Sequence, residues 1–142
     1  MSEPSESYDV PEGFLFTKEH EWVSSKKEDG TVLIGITDYA AKMLHDIVYV
    51  VLPSEGSTFK AGDVFGQVES VKTVSDIFMP LSGRVLKVNN GLTKTPEVIS
   101  SSPYSQGWMI ALSPTNLAEE SKRLLDANDY RRFIEELKNT ER

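Results

Sequence analysis

One lysine stands where an amine could do chemistry. Lys72 lies between two strand-like runs, residues 64–69 and 74–79, with Ser70-Val71 before it and Thr73 after it. Two strands joined in this way place the lysine at a hairpin apex, clear of the protein body. A carrier that swings one tethered group between several active sites needs that placement, and a tight turn also singles out one amine for a modifying enzyme. Glu69 and Asp76 flank the apex and would steer the basic surface of an attachment enzyme. On spacing alone, an ordinary exposed turn lysine describes Lys72 better, because a lysine between two strands is not a specific pattern.

The remaining chemistry-bearing residues are sparse. His20 and His45 are the two histidines. His20 beside Glu21 would make an acid–base pair in principle. Neighbours on a strand point to opposite faces, however, so both histidines read as structural. There is no His-Glu-x-x-His, no glycine-rich phosphate loop and no Gly-x-Ser-x-Gly. The absence of cysteine excludes disulfides, zinc thiolates, iron–sulfur clusters and thiol nucleophiles, and makes a reducing compartment the simpler setting. Glu119-Glu120 and Glu135-Glu136 read as solvated helix faces. An enzyme acting alone fits poorly.

The elements that must position Lys72 are mostly strands. Residues 1–12 read as a flexible acidic tail, and 13–142 as a single domain, long enough to bury a real core. Phe14-Leu15-Phe16 and Trp22-Val23 suggest two short strands or a strand and a turn, and Asp29-Gly30 is a hairpin cue before an apolar strand over 32–36. Thr37-Asp38 reads as an N-cap opening a short helix. The run 47–52 is the most apolar strand candidate and stops at Pro53. Turns are expected at 54–57, 60–63 and 80–83, a strand at 84–88, a long polar loop through 89–103 and a last strand over 107–112. Asn116 and Glu119 have capping-box spacing at the head of a helix whose apolar face is Leu117, Leu124 and Leu125. Tyr130, Phe133, Ile134 and Leu137 then mark one stripe of a second helix, expected to pack on the strands.

Lys and Arg number 15 against 22 Asp and Glu, a formal net charge of −7. That balance argues against nucleic acid and anionic membrane as partners, since both attract clustered positive charge. The N-terminal residues lack the apolar core of a signal peptide and the arginines of a transit peptide, and no apolar run would span a bilayer. A cytoplasmic location is expected.

Glu69-Ser-Val-Lys72, Ser75-Asp76 and Pro80-Leu-Ser-Gly83 together resemble the lipoylation hairpin of glycine cleavage H proteins. Thr17-Lys18, His20-Glu-Trp22, Gly35-Ile-Thr-Asp-Tyr-Ala40, His45-Asp46 with the run to Pro53, Gly56, Val88-Asn89, Pro96, Pro103-Tyr104 and Gly107-Trp-Met109 continue the resemblance in the family's order. It runs from Phe14 to the C-terminal helices. Departures are few: Thr73-Val74 stands where Ala-Ala or Ala-Thr is commoner, Ser100 replaces a frequent asparagine, and Met79-Pro80 replaces Ser-Pro. None removes the lysine or its flanking acids.

The resemblance implies a mainly β fold, a barrel-sandwich hybrid or flattened barrel with a short internal helix and C-terminal helices. It implies lipoate joined to Lys72 through an amide, and a non-catalytic carrier role. The partners implied are a glycine decarboxylase (P protein), a tetrahydrofolate-dependent aminomethyltransferase (T protein), a dihydrolipoyl dehydrogenase (L protein) and a lipoate ligase or lipoyl transferase, with a monomeric carrier meeting each in turn. The loaded arm is expected to fold back on the carrier, with Glu21 and Asp76 as carboxylate contacts and Ile36 lining the cleft. Biotin attachment is disfavoured by Val71 and Thr73, where methionines would flank the lysine. A lipoyl domain of a 2-oxoacid dehydrogenase is disfavoured by the absence of Asp-Lys-Ala and of long linkers. A lipoate relay outside glycine cleavage, or a binding module that has lost modification, remain alternatives.

Overall fold

A computed structural model describes residues 7–140. In chain order the elements are β1 (Leu15–Phe16), β2 (Glu21–Val23), β3 (Val32–Ile36), α1 (Asp38–Leu44), β4 (Ile47–Val51), β5 (Thr58–Phe59), β6 (Val64–Ser70), β7 (Val74–Phe78), β8 (Gly83–Val88), α2 (Val98–Ser101), β9 (Ile110–Pro114), α3 (Leu117–Glu120) and α4 (Ala127–Thr140). The strands form two antiparallel sheets, one ordered β1-β2-β3-β9-β8-β5 and a smaller one ordered β4-β6-β7. They do not close into one barrel, and the short internal helix and C-terminal helices are present as expected. Among the described residues no helix is long and apolar enough to cross a membrane.

The main core lies between the sheets. Val32, Ile34 and Ile36 on β3 meet Val50, Val68 and Ile77 from the small sheet, with Val85 of β8, Leu112 of β9, and Leu81 and Met109 from the turns just before those two strands. Each such side chain contributes about 1.5–3 kcal/mol on leaving water. A second cluster seats α4: Tyr130 and Ile134 are buried, and the Tyr130 ring stacks on Phe16 at 4.7 Å and 9°. The stripe read from Tyr130 to Leu137 is therefore the packed face. Leu125, just before α4, exchanges both backbone hydrogen bonds with Phe16 at 2.8 Å, so chain start and chain end complete one another.

Trp22 and Gly35 show why the second strand tolerates no substitute opposite it. They are cross-strand partners, and a Cβ on Gly35 would lie 2.8 Å from the indole ring. The indole N–H meanwhile donates to Pro103 O at 3.0 Å, holding the loop after α2 against the sheet.

Four expectations fail. Residues 8–12 are not a loose tail: Val10 is buried, the Asp9 N–H donates to Asp38 Oδ2 at 2.9 Å, and Arg131 donates to Val10 O and pairs with Glu12. Residues 1–6 lie outside the described residues. The stretch 89–103 is not simply a polar loop, because a 3-10 turn over Asn90–Thr93 and α2 put Leu92 and Ile99 into the core. Two isolated apolar residues among Gly, Pro and Ser carry no periodicity to betray them. Asn116 makes no side-chain capping bond, and α3 gives way after one turn to a 3-10 turn over Ser121–Arg123, so Leu117, Leu124 and Leu125 share no helix face. Glu120 is buried rather than solvated, accepting from Ser82 N and Ser82 Oγ, both at 2.7 Å. That carboxylate ties α3 to the turn between β7 and β8. Strand β5 was not anticipated, being two residues between two turns, and pairs with β8.

Candidate functional site

Lys72 is exposed, in the bend between β6 and β7. Its backbone is fixed from below. Ser70, itself buried, accepts at Oγ from Lys72 N and Thr73 N, each at 3.2 Å, and Ser70 N donates to Thr73 O at 2.8 Å. Val71 N donates to Asp46 O at 3.1 Å. Asp46 follows His45, which ends α1 with φ of 65° and an N–H donated to Ala41 O. The helix end therefore braces the hairpin tip, and this is the job of His45-Asp46. The apex is rigid in its main chain while the amine stays in solvent.

Beside the hairpin, on its inner side, lies a cleft of about 370 Å³. Ser75 and Ile77 of β7, Ile36 of β3, Tyr39, Ala40, Met43 and Leu44 of α1, and Leu137 of α4 form its walls, with Glu19 and His20 at the rim. The lining is apolar with few polar groups, as a site for an aliphatic chain requires. Ile36 is one of its walls. The sequence gives no sign that the α1 residues and Leu137 belong to a site, although Tyr39, Ala40, Met43 and Leu44 repeat at helical spacing.

Glu21 is buried, not a surface acid. It lies opposite Ile36 in the β2–β3 register, but its carboxylate turns to the free edge of β7. Oε1 accepts from Thr17 Oγ1 at 2.5 Å and Oε2 from Phe78 N at 3.1 Å, linking the two sheets. Burial pushes its pKa up to about 7, against the pull of those two hydrogen bonds, with Glu19 adding repulsion. Glu21 belongs to a neighbouring cavity with Thr17, Lys18 and Arg123, not to the walls of the apolar cleft. His20 turns the other way: φ is 74°, Nδ1 meets the Tyr130 hydroxyl at 2.7 Å, and burial lowers its pKa to about 4. The same hydroxyl meets Thr37 Oγ1 at 2.7 Å, so one tyrosine of α4 ties His20 to the N-cap of α1. The pair His20-Glu21 does not converge on one substrate.

Glu69 and Asp76 occupy the outer face of the small sheet. In register Glu69 stands between Tyr49 and Val74, and Asp76 beside Gln67, whose Nε2 donates to Asp76 Oδ1 at 2.9 Å. Ser75 and Ile77 alternate with Asp76 and face the cleft, so the outer acids and the cleft are on opposite sides of β7. Among the described residues no cluster of His, Cys, Asp or Glu is arranged to hold a metal ion.

Residues 14–137 match the model of the glycine cleavage H-protein family. The chain belongs to that family. It is 51% identical over 130 residues to a probable glycine cleavage system H protein of Pyrococcus abyssi, covering 92% of this chain and 96% of that one. To the glycine cleavage system H protein of Oceanobacillus iheyensis it is 47% identical over 127 residues, covering 89% and 98%. The crystal structure of a glycine cleavage system H protein from Mycobacterium marinum superposes with a TM-score of 0.77 at 39% identity, over 85% of this chain and 95% of that one. Many of the family's motif residues have plain structural work in this chain. Tyr104 is one: its hydroxyl receives the Asp38 N–H at 3.0 Å and donates to Asp9 O at 2.6 Å. Asn89 is another, its Nδ2 donating to Gln106 O and Trp108 O.

Proposed function

We propose that this chain is the lipoyl carrier of the glycine cleavage system, modified on Lys72. The observation carrying the reading is an exposed lysine on a main chain pinned by Ser70 and Asp46, at the tip of the hairpin whose Ser75 and Ile77 line an apolar cleft. The residues present fit lipoate: a free amine to receive it, and a lining of methylene, methyl and aromatic groups to shelter its aliphatic part. In the attachment step Lys72 Nζ forms the amide bond with an activated lipoyl carbonyl, the activating group leaves, and the surplus proton passes to solvent. When attached, lipoate supplies two sulfurs that take up an aminomethyl group and exchange two electrons. The chain itself contributes position. Ser70 and Asp46 aim the arm, and Ile36, Ile77 and Leu137 exclude water from it at rest. Glu21 holds the β7 edge on which the arm would lie. Glu69 and Asp76 face partners.

The partners proposed are the glycine decarboxylase, the tetrahydrofolate-dependent aminomethyltransferase, the dihydrolipoyl dehydrogenase and a lipoate-attaching enzyme. The test is intact mass after incubation with a lipoate ligase, ATP and lipoate, beside Lys72→Arg. One lipoyl adduct on the parent and none on the variant is expected. A folded parent that gains no adduct from a ligase active on another acceptor would sink the assignment. Glycine–CO2 exchange with the decarboxylase then separates glycine cleavage from a lipoate relay, which predicts no exchange.

A further inference from the structure

The outer face of the small sheet carries more apolar surface than a solvent face requires. The strand read as the most apolar in the chain, β4, buries only Ile47 and Val50, while Val48, Tyr49 and Val51 are 50%, 53% and 41% exposed. A shift of register between Ile47 and Tyr49 twists this edge strand. The cross-strand rows are Tyr49–Glu69–Val74 and Val51–Gln67–Asp76, so apolar groups and acids alternate across one face. Val74 is 52% exposed, and Val71, next to Lys72, is 72% exposed. Neither β4, β6 nor β7 contains a lysine or arginine. Lys72 is the cation at the end of an apolar and acidic surface.

We propose that this face, centred on Tyr49, Val51 and Val74 with Glu69 and Asp76, is the docking surface for the enzyme that attaches lipoate. The inference rests on the carrier reading and deepens it. An enzyme delivering an activated acyl group to Lys72 Nζ must cover the hairpin rows next to the apex, so the surface is continuous with that chemistry. It also meets the carrier before any arm exists, and its affinity has to come from protein surface alone. Later partners can hold the arm. The face therefore selects a partner whose surface is apolar and flanked by lysine or arginine. Such a partner pairs with Glu69 and Asp76 and meets no lysine or arginine within the three strands. A second copy of this chain would bring like charges together and fits less well.

The test uses the whole unmodified chain with a lipoate ligase, ATP and lipoate, reading initial attachment rates by intact mass. The double variant Tyr49→Ser, Val51→Thr is expected to lose about tenfold in kcat/KM through KM, with kcat at saturation kept, as truncation of exposed anchor residues does. Glu69→Lys with Asp76→Lys is expected to do the same and to abolish the salt dependence of the rate. Because the substituted side chains are half exposed, melting temperatures close to the parent's are expected. The Tyr49, Val51 variant, loaded by prolonged incubation with excess ligase, should then support glycine–CO2 exchange at the parent rate. Attachment at the parent rate by both variants overturns the inference. So does unchanged attachment with lowered exchange, which gives the face to the decarboxylase. A dimer of the parent abolished by the Tyr49, Val51 substitutions gives it to a second copy and overturns it too. No adduct on the parent overturns the carrier reading as well, whereas the other failures leave that reading standing.

Discussion

Two adjacent side chains, His20 and Glu21, are displaced from their ordinary ionisation in opposite senses. Burial lowers the histidine to about 4 and raises the glutamate to about 7. For Glu21, unfolded and folded states are both protonated below the unfolded value of 4.5. As pH rises from there the unfolded chain ionises first, so stability is lost up to about 7 and is constant above. For His20 both states are neutral above 6.5. As pH falls the unfolded chain takes up a proton that the fold refuses, so stability is lost down to about 4. Between about 4.5 and 6.5 the two slopes oppose, and the parent should vary little in stability on their account. Glu21→Gln, which keeps an acceptor for Phe78 N, should expose the histidine slope, becoming more stable relative to the parent by on the order of 2 kcal/mol between pH 4.5 and 7.5. His20→Asn, an asparagine being tolerant of positive φ, should shift the other way on acidification. Urea unfolding of all three at several pH values checks this, and parallel curves would refute it. The sequence marked Glu21 as a residue of interest but not as a buried one. Its cover comes from Phe78, on a strand distant in the chain, and local polarity around Thr17-Lys-Glu-His gives no hint of that. Lys72 was legible because its setting is local: two strands and the turn between them.

At the level of elements, the hairpin is only as well aimed as its tip. Ser70→Ala removes the acceptor of two N–H groups and should cost about 1 kcal/mol. A lower rate of lipoate attachment at unchanged ligase concentration should accompany it, seen by the same mass assay. Gly66 lets β4 approach β6: a Cβ there would lie 2.5 Å from Val51 O. Gly66→Ala should destabilise by about 1–3 kcal/mol, measured by denaturant unfolding, because backbone cannot move aside as a side-chain tip can. Strands were readable wherever apolar residues ran together, as in β3, β6 and β7. Elements held by a single buried residue were not, as Leu92 and Ile99 show. The helix predicted from Asn116 failed because the spacing of a cap says nothing about Leu125, which is drawn into pairing with Phe16 instead. β4 was found but its exposure was not, since a run of Val, Ile and Tyr reads alike whether its second face meets core or partner.

Across the whole molecule, a net charge of −7 acts on every encounter. Raising ionic strength from about 0.05 to 0.5 M should slow attachment to the parent severalfold, as the Debye length shrinks to a few ångströms. Stopped initial rates across a salt series check this, and a flat or rising series would contradict it. The layout of the fold has one more consequence. Because β1, paired with β2 on one side, is completed on the other by Leu125 and roofed by Tyr130, the first strand gains its second partner only when residue 125 has left the ribosome. The hairpin with Lys72 emerges well before that, on a nascent chain whose cleft still lacks the Leu137 wall. Folding dominated by such distant pairings is slow on the scale of small domains. The newly made protein therefore passes through a period in which its lysine is presented but its shelter is not yet built, and an enzyme that reads only the face of β4, β6 and β7 can meet the chain before the C-terminal wall of the cleft is in place.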